Sequence, residues 1–146
     1  MKNKILPLLL LLGSTYAAAQ TVIENPSFET RQGSAHTISK IELSPTETRL
    51  TIRTVFRPQW WTSIDSLTYI YAPESRKQFY PLRIEGRKFG ERVTTPASGI
   101  IENDCVITYP PLPEGTTRID WMEDDLKSET NTYGILLVKP QETKEQ

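Results

Sequence analysis

Thr48-Arg49-Leu50-Thr51-Ile52-Arg53-Thr54-Val55-Phe56-Arg57 is the stretch that decides the fold class. Leu50, Ile52, Thr54 and Phe56 fall on one parity, and Arg49, Thr51, Arg53, Val55 and Arg57 on the other. Successive side chains of an extended chain point to opposite faces, so a period of two with one apolar set marks a strand with one buried face. Arg49, Arg53 and Arg57 recur at spacing four on the polar side, which reads as a solvated sheet face. Upstream, residues 37–43 carry Ile41 and Leu43 in the same rhythm, and Ser44-Pro45-Thr46-Glu47 supplies a turn. The two segments predict a hairpin.

The same period continues along the chain. Residues 67–71 are rich in aromatic and β-branched side chains, and Ala72-Pro73-Glu74-Ser75 closes them with a turn. Residues 79–84 place Tyr80, Leu82 and Ile84 on one face, and a glycine-bounded stretch, 86–90, comes next. Further strands are expected at 104–109, 117–122 and 133–138, with helix limited to a short turn within 123–129 and a loop preferred over 127–132. Seven or eight strands punctuated by 11 Pro and 7 Gly predict an all-β, immunoglobulin-like antiparallel sandwich.

The first nineteen residues read as a signal peptide: Lys2 and Lys4 at a positive start, an apolar run from Ile5 to Leu12, and Ala17-Ala18-Ala19 before Gln20. No Cys follows the cleavage point to accept a lipid, and no later run approaches the ~20 apolar residues of a spanning helix. The expected location is therefore periplasmic or extracellular. The remaining 127 or so residues, 20–139 as one domain and 140–146 as a polar tail, suffice for one core. Residues 20–23 are expected to fray unless they join a sheet edge.

Removing Lys2 and Lys4 from 17 basic residues leaves 15 against 18 acidic ones, a net charge of −3 with the basic residues dispersed. A nucleic-acid partner is excluded on that ground. With one His and one Cys, the chain lacks the residues for a His/Cys zinc site, an internal disulfide or a CxxC centre, and no cofactor is expected.

Several motifs together resemble a known family. They are Asn25-Pro26-Ser27-Phe28-Glu29, Ile41-Glu42-Leu43, Phe89-Gly90-Glu91 with Pro96-Ala97-Ser98-Gly99, and residues 111–123 from Pro111-Leu112-Pro113-Glu114-Gly115 to Trp121-Met122-Glu123, read with Tyr133-Gly134-Ile135. Across most of residues 22–138 the chain resembles a secreted β-sandwich domain of Gram-negative gut bacteria that commonly precedes a thioredoxin-like thiol-disulfide oxidoreductase domain. The resemblance implies an accessory module, with a thioredoxin-like protein as one partner. It brings no catalytic residue to this sequence, which holds one Cys and so no CxxC nucleophile.

Among the candidate site residues, Cys105 shares a face with Ile107 and Tyr109 and reads as a buried structural thiol rather than a reactive one. His36 shares parity with Lys40 and Glu42 and reads as a surface residue, although a triad with Ser34 or Ser39 is conceivable from residue types alone. Asp120, Glu123, Asp124, Asp125 and Glu129 form an acidic cluster that reads as a solvated loop, with a calcium shell as the rival. Trp60 and Trp61, with Arg57 and Tyr69, form the expected partner-binding surface. Adjacent strand residues face opposite ways, so one ring enters the core and the other faces solvent, unless Pro58 breaks the strand and both pack at the sandwich edge. The expected function is a non-catalytic protein-interaction module; carbohydrate binding is the alternative, and a small hydrolase with a carboxylate pair the third reading.

Overall fold

The computed structural model describes residues 20–123 and 130–138. The expected signal peptide, the tail at 140–146, Asp124, Asp125 and Glu129 of the acidic cluster, nearly all of the short helical turn expected within 123–129, and half of 127–132 lie outside the described residues. The strands are β1 (Thr21–Glu24), β2 (Thr30–Arg31), β3 (His36–Leu43), β4 (Thr48–Val55), β5 (Trp61–Thr62), β6 (Tyr69–Ala72), β7 (Lys77–Phe79), β8 (Arg83–Glu85), β9 (Val93–Thr94), β10 (Ile100–Tyr109), β11 (Arg118–Met122) and β12 (Thr132–Leu136). One sheet has the order β1-β3-β4-β10-β8, a second β2-β12-β11-β6-β7, and β5 pairs with β9 in a small two-stranded sheet. Every pairing is antiparallel. The chain is thus the all-β sandwich that the alternating pattern predicted. The short edge strands raise the number beyond seven or eight, because two- and three-residue strands leave no periodic trace.

The stretch at 48–57 is the middle of the first sheet. Leu50, Ile52 and Thr54 are fully buried, and β3 and β10 flank them in register, with Ile52 opposite Ile38 and Cys105. Ile41, Leu50, Ile52 and Ile107 from this sheet pack with Ile70, Ile119, Trp121 and Ile135 from the other in one core. Each such side chain contributes about 1.5–3 kcal/mol relative to exposure. A polar link joins the sheets inside that core: Trp121 Nε1 donates to the Tyr109 hydroxyl at 3.0 Å, which also bonds Thr68 Oγ1 at 2.7 Å. Arg49 and Arg53 lie on the outer face of β4 as expected, Arg53 paired to Glu102 and Arg49 near Glu42 and Glu85, but Thr51 between them is buried.

The strand expected at 79–84 is instead two strands in different sheets. β7 ends at Phe79 beside β6, the chain crosses at Tyr80-Pro81-Leu82, and β8 begins at Arg83 beside β10. Pro81 has no N–H to give a ladder, and Tyr80 and Leu82 are exposed at the crossing rather than on a buried face. At the other end of the chain, residues 21–24 do join a sheet edge, as β1.

Two irregularities decide which polar side chains reach the interior. In β3 the register slips between Ile38 and Lys40, so three steps of β3 (Ile38 to Ile41) oppose two of β4 (Ile52 to Leu50). In β10 it slips between Ile101 and Cys105, where four steps oppose two, and Asn103 takes φ 48°. The single extra residue in β3 switches which parity faces the core, whereas the two extra residues in β10 leave Ile101 and Cys105 on one parity and place Asp104 inside the irregular stretch.

Candidate functional site

His36 is 5% exposed, so the surface placement read from parity is incorrect. The β3 bulge is the reason: beyond it, His36 and Ile38 share the inward face with Ile41, whereas straight alternation from Ile41 would turn them out. His36 Nδ1 lies 2.6 Å from Glu123 Oε1, and Ser34 Oγ donates to Glu123 Oε2. Ser34 Oγ also accepts from the His36 backbone N–H at 2.9 Å, which ties the turn before β3 to the imidazole. Because Glu123 accepts on both oxygens, Nδ1 is the donor of the His36 bond. That leaves Nε2, which is buried and has no protein partner.

Glu123 directly follows β11 of the second sheet. Its backbone N–H donates to Asn131 Oδ1 at 3.1 Å, which turns the residue toward the sandwich end rather than outward. Within the acidic cluster, Asp120 is likewise committed, accepting from the Gly134 N–H at 2.9 Å. No group of three or more His, Cys, Asp or Glu side chains suited to a metal ion occurs among the described residues.

His36 lines a cleft of about 560 Å³ at the end of the sandwich where β3 begins and β4 finishes. That volume is within the range of small-molecule and side-chain sites. Phe56, Trp61, Ile64 and Leu67 give the cleft its apolar lining, and Asp65 lies at its edge. Trp60 and Trp61 are 51% and 42% exposed, so neither ring enters the core. The residue that turns inward is Thr62, whose carbonyl and hydroxyl accept from Arg87. Thr95 holds the preceding turn, donating its backbone N–H to the Trp60 carbonyl at 2.7 Å and accepting the Trp60 N–H on Oγ1 at 3.1 Å. The Arg92 guanidinium lies 4.3 Å from the centre of the Trp61 ring, a cation–π contact.

Arg57 is exposed, and its carbonyl accepts the Trp60 N–H, so it shares the surface with both tryptophans. Tyr69 does not share it. It is a buried β6 residue whose ring packs 5.5 Å from Tyr80.

A buried ion pair supports the same region. Arg87 and Asp104, with side chains 1% and 4% exposed, bond through both guanidinium Nε (3.1 Å) and Nη2. Thr54 Oγ1 donates to the same carboxylate at 2.5 Å. The pair therefore connects the centre of the first sheet to Thr62, next to Trp61. The sequence pattern does not show it, because Arg87 lies in a glycine-bounded stretch without alternation and Asp104 turns inward within the β10 irregularity, where straight alternation from Cys105 would turn it out. The one legible sign is a glycine: Gly86 has φ 98°, and a Cβ there would lie 2.5 Å from the Asp104 carbonyl oxygen.

Cys105 is buried, as its parity implied. Burial, reinforced by the neighbouring Asp104 charge, pushes its thiol up to about 12. Tyr109 is also raised well above the usual tyrosine range by burial.

A second cleft of about 660 Å³ lies at the opposite end, between the β3–β4 turn and the loop at 112–116. It carries no ionisable pair and no aromatic wall. The fold and the first cleft together define the class: an all-β antiparallel sandwich with an aromatic-walled cleft at one end and a Ser34–Glu123–His36 cluster within it. No protein-family model, curated protein or solved structure matches the chain. The family resemblance rests on its sequence motifs alone. No helix among the described residues is long and apolar enough to cross a membrane.

Proposed function

We propose that this chain is an exported, non-catalytic binding module that captures a segment of a partner protein in the cleft beside Trp61. The observation that carries the reading is the pair of exposed Trp61 and Leu67 lining a cleft of ligand size, with exposed Trp60 next in the chain and Arg92 on the Trp61 ring. Aromatic residues and arginine dominate the binding energy of protein interfaces, and an apolar centre with a charged rim is their usual anatomy. The aliphatic lining from Ile64 and Leu67 favours an apolar side chain over a sugar, whose many hydroxyls need polar partners.

The non-catalytic part of the proposal rests on how the carboxylates are used. Glu123 is held on both oxygens by His36 and Ser34, and Asp65 Oδ1 accepts the Leu67 backbone N–H at 2.8 Å. Neither is presented as one of the pair that glycoside hydrolysis needs. Export is supported by the lysine-led apolar leader and its alanine cleavage site. The accessory association implied by the family resemblance makes a thioredoxin-like protein one partner to test.

A peptide-display selection against the mature protein tests the reading. Enriched sequences should bind in calorimetry and lose at least tenfold in affinity with Trp61→Ala. Failure to enrich any sequence, or glycan-array hits that depend on Trp61, would overturn it.

A further inference from the structure

We infer that the cleft recognises a phenol, presented as a tyrosine side chain of the bound segment, with its hydroxyl on His36 Nε2; this rests on the proposed protein-binding function. Most polar atoms that line the cleft already have partners. Ser34 Oγ is used by Glu123, Thr62 Oγ1 by Arg87, and Thr68 Oγ1 by Tyr109. Among the buried side-chain atoms of the described lining, His36 Nε2 is left without a protein partner. It is held in place by the Nδ1 bond to Glu123 and the Ser34 turn. An unmet polar atom in a buried site is costly, and a ligand that meets it gains that cost back.

The ligand must then bring one polar atom on an otherwise apolar body. Phe56, Ile64, Trp61 and Leu67 give that body an apolar and partly aromatic surround, and the Trp61 indole offers a flat partner for another ring. A hydroxyl suits Nε2 in either of its forms, since it donates to the neutral imidazole and accepts from the imidazolium. A ligand carboxylate satisfies only the second form, and an ammonium only the first. A sugar is disfavoured, because its additional hydroxyls find the lining's buried donors and acceptors engaged and are left to exposed positions such as Ser63 and Asp65.

The test uses the mature protein and two probes, N-acetyltyrosinamide and N-acetylphenylalaninamide, monitored by NMR. The chain has one His, so its imidazole signals are unambiguous. The tyrosine probe should shift the His36 ring and Trp61 indole signals and bind about tenfold more tightly than the phenylalanine probe, the order expected for one hydrogen bond. In His36→Ala the preference should fall below about twofold while the indole shift persists. The wild-type probe preference stands alone, so the test does not depend on the variant folding. Equal binding of the two probes, or no shift of the His36 ring, overturns the inference. If selected peptides bind at Trp61 but the probes do not differ, the phenol assignment falls and the binding module stands. If the tyrosine probe binds as described while no peptide is selected, the phenol site stands and the protein-partner reading falls.

Discussion

Replacing Arg87 with alanine should be among the most damaging single changes in the first sheet, and the size of the effect comes from burial rather than from distance. The Arg87 and Asp104 side chains are 1% and 4% exposed, so deleting the guanidinium leaves a carboxylate in the interior with only Thr54 Oγ1 to solvate it. Breaking one partner out of a buried pair costs about 3–5 kcal/mol. Arg53 provides the control. It lies 2.8 Å from Glu102, but the two side chains are 37% and 62% exposed, and such a pair contributes about 0–1 kcal/mol. Urea unfolding monitored by circular dichroism separates the two. With a slope near 1.5 kcal/mol per molar, Arg87→Ala should lower the midpoint by roughly 2–3 M, and Arg53→Ala by less than about 0.7 M. Since total stability is about 5–15 kcal/mol, the single variant sits near the folding limit. The double variant Arg87→Met with Asp104→Leu removes both charges and should recover a large part of the loss. The reasoning is refuted if Arg87→Ala costs no more than Arg53→Ala.

Other expectations concern the core and its turns. Cys105 has its thiol pushed up to about 12 from an unfolded value near 9, so its contribution to stability is intact below pH 9 and is lost as pH rises from there toward 12. Denaturation at pH 8 and pH 10.5 should show a fall that Cys105→Ala reduces by up to about 1.4 kcal/mol per pH unit. Tyr109→Phe strands the Trp121 indole N–H and should cost about 1–3 kcal/mol, read from thermal unfolding; a loss below about 0.5 kcal/mol would contradict the cross-sheet link. Gly86→Ala places a Cβ against the Asp104 carbonyl at positive φ and should destabilise by more than about 1 kcal/mol, whereas Gly33→Ala meets nothing within 4 Å and should be close to neutral in the same assay. If the two glycine variants unfold alike, the packing of Gly86 on β10 is wrong.

How much of the fold and the cleft is legible in the sequence depends on the range over which each feature is encoded. Strand identity is local: the alternation of Leu50, Ile52 and Thr54 with Arg49, Thr51 and Arg53 comes from extended-chain geometry and solvation, and it decides the all-β class without any contact being known. The buried Cys105 is legible for the same reason, because no irregularity separates it from Ile107 and Tyr109. The tryptophan pair is legible as an exposed-aromatic site, though not the fact that both rings stay outside while Thr62 takes the inward position.

The cleft is decided by tertiary structure. His36 in β3 and Glu123, the residue after β11, are 87 residues apart and are carried by different sheets, and parity counted back from Ile41 puts the imidazole on the wrong face. A bulge is invisible to a period-two count, because an extra residue changes facing without changing composition. Asp104 and Arg87 meet in the same way, through the β10 bulge. Composition and alternation therefore determine that this chain is an all-β sandwich with its thiol inside. Where two bulges send a histidine and an aspartate inward, to be met by Glu123 and Arg87, is set by pairing between distant strands, whose register is fixed only when the sheets pack.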